Sequence, residues 1–300
     1  MAGYQLDKIN GIECWKMKND DLTLWLSKNF GPRVLGLSYR GSENLMASLP
    51  DARLPIPGGG EYSLRGGHRL WYAPERPETT YILDDQPPQV NEIEDGLEFI
   101  QEVDPPTGIQ KSWVIKLAPG DSKVVLDHRL VNQGGDPFEL APWAVTMLRP
   151  GGVGLLPVEE GIADENGLWP NRELIFWPYT DLESKHLQVI NQGVFVFANM
   201  EAGALKVGTP NPRGWIAYRH NGLLFVKKTG YLKGKRYLDR GASHQIYVNP
   251  DVIELETLGP RTELTPGQAV DHQEIWHVYP PGDWPGEILR IYKMGGILHR

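Results

Sequence analysis

Val252-Ile253-Glu254-Leu255-Glu256-Thr257-Leu258-Gly259-Pro260 reads as a single β-strand ended by a Gly-Pro break. Its residues alternate, so Ile253 and Leu255 share one face while Glu254 and Glu256 share the other. Two residues of rise hold the two carboxylates roughly 6.5–7 Å apart at the backbone. Like charges on one sheet face repel, and something must offset them. A buried site with an arginine or a polar ligand would do so, and would raise one carboxyl pKa toward acid–base use. The alternative is an exposed strand face with two solvated carboxylates.

The same period of two recurs outward along the chain, which predicts an all-β protein. Residues 22–26 alternate, Gly31-Pro32 breaks the pattern, and 34–39 resume it. Three hairpins are readable: 90–94 with 97–103 around Asp95-Gly96, 113–117 with 124–131 around Pro119-Gly120-Asp121, and 215–219 with 223–227 around Asn221-Gly222. A last long strand is expected over 270–279, after a turn at Thr265-Pro266-Gly267. Segments 50–67, 149–157 and 159–170 are rich in Gly and Pro and read as long loops, which on a β scaffold usually carry function. No long amphipathic helix, no composition shift and no short repeat interrupts the chain, so residues 1–300 are expected to form one domain.

Composition narrows the function. The net charge of −8 argues against nucleic acid as a partner, since phosphate binding needs a basic face, and it does not suggest an anionic membrane. No apolar run approaches the roughly 20 residues of a membrane helix. Residues 1–10 hold no apolar stretch of the signal-peptide kind, from which a cytoplasmic location is expected. The single cysteine, Cys14, excludes an internal disulfide and a cysteine-rich metal site. Ten tryptophans supply either a large aromatic core or faces on which the C–H-rich side of a sugar can stack.

Several segments could carry chemistry. Gly66-Gly67-His68-Arg69-Leu70-Trp71-Tyr72-Ala73-Pro74-Glu75 gathers an imidazole, a guanidinium, aromatics and a carboxylate. Arg69 offers a planar fork of donors suited to sugar hydroxyls or carboxylates, unless it pairs internally with Glu75. Pro142 to Gly152 reads as a strand running into a tight loop, with Trp143 and Arg149 as its binding-type side chains and Met147 and Leu148 as core. Lys206 and Trp215 end a polar loop, and Asp239 and His244 lie just before the carboxylate strand. His272, Glu274 and Trp276 share one strand face, but no third ligand follows from spacing and no metal or other cofactor is assigned. A nucleophile elbow, a P-loop and an H-E-x-x-H motif are all missing.

Together these segments resemble the galactose mutarotase-like (aldose 1-epimerase-like) superfamily, in particular a bacterial branch of undefined function. The matching stretches are Gly31-Pro32-Arg33-Val34, Gly41-Ser42-Glu43-Asn44-Leu45, residues 66–75, residues 142–152, and residues 254–260 with Pro266-Gly267 and Trp276. The resemblance implies an antiparallel β-supersandwich with a sugar cleft and long Gly/Pro-rich loops. It further implies interconversion of aldose anomers, in which a carboxylate takes the anomeric proton while an imidazolium protonates the ring oxygen. Glu256 matches the family base, Glu254 would orient the sugar, and Arg69 falls where the family contacts sugar hydroxyls. Trp71, Glu75, Trp143, Lys206, Trp215 and Asp239 complete the expected carbohydrate site. The family acid is a histidine in a His-x-Tyr-Phe-Asn-like stretch, and Trp143-Ala144-Val145-Thr146-Met147-Leu148 stands there instead. Either His68 or His244 substitutes, or the protein is a non-catalytic carbohydrate binder. A glycosidase built on Glu254 and Glu256 fits poorly, because two such groups normally flank the bond they cleave.

Overall fold

A computed structural model describes residues 3–159, 161 and 164–298. In chain order the strands are β1 (Gly3–Ile9), β2 (Ile12–Lys18), β3 (Leu22–Ser27), β4 (Val34–Tyr39), β5 (Ser48–Pro55), β6 (Glu61–Ala73), β7 (Gln89–Ile93), β8 (Gly96–Ile100), β9 (Ile109–Lys116), β10 (Lys123–Asn132) and β11 (Phe138–Leu148). They continue with β12 (Val153–Pro157), β13 (Ile175–Phe176), β14 (Leu187–Ile190), β15 (Gly193–Phe197), β16 (Leu205–Thr209), β17 (Trp215–His220), β18 (Leu223–Thr229), β19 (His244–Val248), β20 (Ile253–Leu258), β21 (Thr262–Leu264) and β22 (Ala269–Tyr279). Two short helices, α1 (Pro77–Thr80) and α2 (Gly286–Met294), accompany them.

The strands form two antiparallel sheets. The larger has 12 strands, with the path β1-β2-β3-β4-β6-β11-β20-β19-β16-β13 and with β5 and β21 attached at its side. The second has 10 strands in the order β14-β15-β12-β17-β18-β22-β10-β9-β8-β7. The expected hairpins are present as β7–β8, β9–β10 and β17–β18. At the last of these, Asn221 and Gly222 both take left-handed φ, 47° and 81°, as a two-residue hairpin turn requires.

Strand alternation decides which side chains meet. Leu37, Leu70, Ala144, Leu255 and Ile246 from the larger sheet meet Leu126, Phe225, Trp276 and Ile216 from the smaller one in the main core. Each fully buried leucine or phenylalanine there contributes about 1.5–3 kcal/mol. The other face of the larger sheet carries a second cluster that includes Tyr62, Trp71, Trp143, Val145, Met147 and Leu258. On the far face of the smaller sheet, α2 lays Ile288, Ile291 and Tyr292 over Trp215 and Phe195.

Three segments read as loops contain strands. Residues 50–67 are mostly β5 and β6, which pair through Arg53–Ser63 and Leu54–Tyr62. The signal that misleads is Gly66-Gly67. Both glycines take left-handed φ, and a Cβ on Gly67 would lie 2.1 Å from the Val34 carbonyl oxygen. They mark the point where one long strand passes from β5 to β4 and β11, not a chain break. Lys206 lies within β16, and residues 153–157 form β12. In segment 159–170, residues 160, 162 and 163 lie outside the described residues.

Candidate functional site

Four neighbouring strands of the larger sheet, β6, β11, β20 and β19, with β16 beside them, build the site on its outer face. Val145 stands opposite both Arg69 and Glu256, and Met147 opposite Glu254. Tyr247 pairs with Glu254 on one side and Lys206 on the other. Register therefore gathers Arg69, Trp71, Trp143, Glu254, Glu256 and Lys206 from distant parts of the sequence. A cavity of about 430 Å³ is lined by all of these except Glu256, with Glu75, Tyr81, Tyr179, Tyr247 and Asn249 also in its walls.

The two carboxylates sit in different settings. Glu256 is fully buried. Its Oε2 accepts the Trp143 indole N–H at 2.7 Å and the Lys206 ammonium at 2.8 Å, while Oε1 has no hydrogen-bond partner. Burial alone would lower the Lys206 pKa, but the ion pair with Glu256 outweighs it and raises it. The same ammonium lies over the Trp143 and Trp177 rings, at 5.2 and 4.6 Å from their centroids. Glu254 lines the cavity itself and has no ion pair among the described residues. Burial, then the charge of Glu256, push its pKa up to about 7, against the pull of Arg69 and Lys206.

Arg69 lies over Trp71, with its guanidinium carbon 3.8 Å from the ring centroid. It does not pair with Glu75, whose carboxylate accepts the Tyr81 hydroxyl. Trp71 in turn donates to the Tyr62 hydroxyl at 3.3 Å, and Tyr62 is fixed by the buried Arg33–Asp84 pair. The aromatic floor is thus anchored by hydrogen bonds as well as by packing.

Four expected site residues fall elsewhere. His68 follows Gly67 on β6, and alternation turns it away from Arg69 into the space between the sheets. There its Nδ1 meets Thr146 Oγ1 and its Nε2 meets His128 Nε2, both at 2.9 Å. His244 stands opposite Thr257, also faces inward, and is fully buried with its Nδ1 3.2 Å from Ser243 Oγ. Neither imidazole can reach a ligand in front of Glu256, because the sheet lies between. Trp215 belongs to the smaller sheet, packed under α2. Asp239 opens a short 3₁₀ turn (Asp239–Gly241) and accepts a hydrogen bond from Gln245 at 2.8 Å, away from the cavity wall. Tyr81, Tyr179, Tyr247 and Asn249 were not expected in the site. Only Tyr247 had a usable signal, as the next outward position of β19 after Gln245.

His272, Glu274 and Trp276 do share a face, directed into the core. One nitrogen each of His68 and His128 and a Glu274 oxygen lie within 4.8 Å of one another, a spacing that could suit a cation. Glu274 already has a cation as its partner, and the two histidine nitrogens are hydrogen-bonded to each other. Lys227 Nζ lies 2.7 Å from Glu274 and donates to Thr146 Oγ1 and to the Ala144 and Leu255 carbonyls. Thr257 and Trp276 also donate to Glu274. The cluster is a satisfied polar network tying the sheets together.

No protein-family model and no curated protein matches the sequence. Solved structures do match. A galactose mutarotase-like protein from Lactobacillus casei superimposes with a TM-score of 0.56 at 10% identity, over 92% of this chain and all of that one. This chain has the galactose mutarotase-like fold. A galactose mutarotase related enzyme from Lactobacillus acidophilus (TM-score 0.54, 9% identity, 90% of this chain and 98% of that one) shares this galactose mutarotase-like architecture. So does a candidate aldose 1-epimerase from Escherichia coli K12 (TM-score 0.52, 12% identity, 93% and 100%). Among the described residues no helix is long and apolar enough to cross a membrane.

Proposed function

We propose that the cleft over Glu254 binds a carbohydrate. The observation that carries this reading is Glu254 in the lining of a 430 Å³ cavity, free to meet a ligand, while its strand neighbour Glu256 is buried and locked to Lys206 and Trp143. Around it stand the groups a sugar uses: the indoles of Trp71 and Trp143, the Arg69 fork, and hydroxyl and amide donors from Tyr179, Tyr247 and Asn249. A second reading, anomer interconversion, is favoured by one specific feature, the pKa of about 7 at Glu254. In that reading Glu254 exchanges the proton and Glu256, whose free oxygen is sealed from the cavity, holds Lys206 in place. No histidine lines the cavity among the described residues, so binding is the first reading.

Titration of a panel of free aldoses followed by calorimetry tests binding, and anomer exchange by NMR tests the chemistry. Binding that Glu254→Gln weakens about tenfold or more is the expected result. An acceleration of exchange lost in the same variant supports the second reading. Failure of every saccharide to bind would remove both.

A further inference from the structure

Five lysine or arginine side chains are buried among the described residues: Arg33, Arg69, Lys111, Lys206 and Lys227. Four of them hold a carboxylate of their own: Asp84 at 2.8 Å, Asp104 at 2.7 Å, Glu256 at 2.8 Å and Glu274 at 2.7 Å, respectively. Arg69 has none. It is only 2% exposed, its Nε has no partner, and its one hydrogen bond runs from Nη1 to the Met147 sulfur at 3.2 Å. A thioether is a weak acceptor, so the guanidinium is left with most of its donors unused in a wall of the cavity. A buried cation without a counter-charge is strongly unfavourable, and the protein avoids it everywhere else.

We infer that the ligand supplies the missing anion: the sugar bound in this cleft is an acidic one, whose carboxylate forks onto Arg69. This rests on the carbohydrate reading of the cleft and adds the substrate class. A carboxylate matches a guanidinium edge with two parallel hydrogen bonds. Contact with Trp71 and burial already restrict the Arg69 side chain, so less order has to be gained on binding. One negative charge is also what Arg69 by itself can pair. Lys206 is committed to Glu256, which leaves Arg69 as the single free positive charge. Glu254 does not pair with it, since no nitrogen lies within ion-pair distance of its carboxylate among the described residues. Burial and the charge of Glu256 hold the Glu254 carboxyl only about half ionised at pH 7. Glu254, Glu75 and Asp251 also line the cavity, so a phosphate dianion meets more repulsion there than a single carboxylate does.

Calorimetric titration of the full chain at pH 7 with glucuronate and galacturonate, against glucose, galactose and glucose 6-phosphate, tests this. Each uronate should bind about 10- to 100-fold more tightly than its neutral counterpart, the range of a charge-assisted hydrogen-bonded pair. Arg69→Met should remove that preference, and Arg69→Lys, which keeps charge without the fork, should retain only part of it. The wild-type ratios decide the matter even where a variant folds poorly. Neutral sugars binding as well as uronates would overturn the acidic-sugar inference and leave the carbohydrate site standing. Tightest binding of the phosphate ester would overturn it too. No binding of any saccharide would overturn both.

Discussion

Glu254 and Glu256 are the same amino acid on the same strand face, yet their settings differ. Glu256 receives an indole N–H and an ammonium on one oxygen. Glu254 receives neither, and it feels the charge of its neighbour. That difference has a sign in stability. The Glu254 carboxyl titrates near 4.5 when free and near 7 in the folded chain. Between those values the folded protein keeps a proton that the unfolded chain has released, so stability falls as pH rises through that window. Above pH 7 the whole penalty is present. Glu254→Gln removes the charge without removing a hydrogen bond. Denaturant unfolding should therefore find the variant more stable by about 1–3 kcal/mol at pH 8, a range set below the full linkage value because the carboxyl partly faces the cavity. The two proteins should converge at pH 4, where both side chains are neutral. A Glu254→Gln variant no more stable than wild type at pH 8 would show that Glu254 is not held protonated by its surroundings.

At the scale of elements, β6 sets the accuracy of the site, because Arg69 and Trp71 take their direction from the turn of the strand at Gly67. The backbone there has φ of +70°, and an added Cβ would strike the Val34 carbonyl oxygen at 2.1 Å. Gly120, in an open turn, has nearly the same φ of +69° and nothing within 4 Å. Gly120→Ala should cost about 1 kcal/mol, from the left-handed φ alone. Gly67→Ala should cost at least about 3 kcal/mol, because steric overlap with β4 adds to the same strain. Urea unfolding of the two variants separates the terms, and equal losses would mean that β6 does not need its close approach to Val34. This strand also shows where sequence reading stops. Glu254 and Glu256 were legible as a same-face pair because β20 alternates cleanly, and Asn221-Gly222 announced its hairpin. The Gly66-Gly67 pair has the signature of a loop, under which residues 66–75 form one cluster of chemistry. As a strand they split by parity, Arg69 and Trp71 to the cleft and His68 to the core. Lys206 reaches Glu256 only because β19 lies between their strands, a neighbour relation that no sequence spacing encodes. Tyr81 and Tyr179 come from irregular segments without any period to read.

Across the whole molecule, the two sheets close over histidines that must stay neutral. Burial lowers the His128 pKa from 6.5 to about 4 and that of His244 to about 3, and it places His68 well below 6.5. These groups bind protons in the unfolded chain before they can in the folded one, so their stabilising contribution is complete above about pH 6.5 and is lost as pH falls toward 4 and 3. Glu254 acts in the opposite sense over part of the same range, since the folded protein gains its proton first. For these four groups alone, three histidines against one carboxyl leave an uptake of about two protons on unfolding near pH 5.5, or a slope of about 2.7 kcal/mol per pH unit. Burial also lowers the His220 and His277 pKa values and raises that of Asp104, which add in opposite senses. Domain stabilities of about 5–15 kcal/mol cannot withstand that for long, so acid unfolding is expected between about pH 4 and 5. Denaturant titrations at pH 7, 6, 5.5 and 5 measure the slope directly. His244→Gln should flatten it by about 1.4 kcal/mol per pH unit, the share of one proton. His244 suits the test because its Nε2 has no partner, so the substitution leaves the Lys227–Glu274 network intact. A stability that stays level down to pH 4.5, or a slope unchanged by the substitution, would mean that the closed sandwich does not exclude water from these imidazoles.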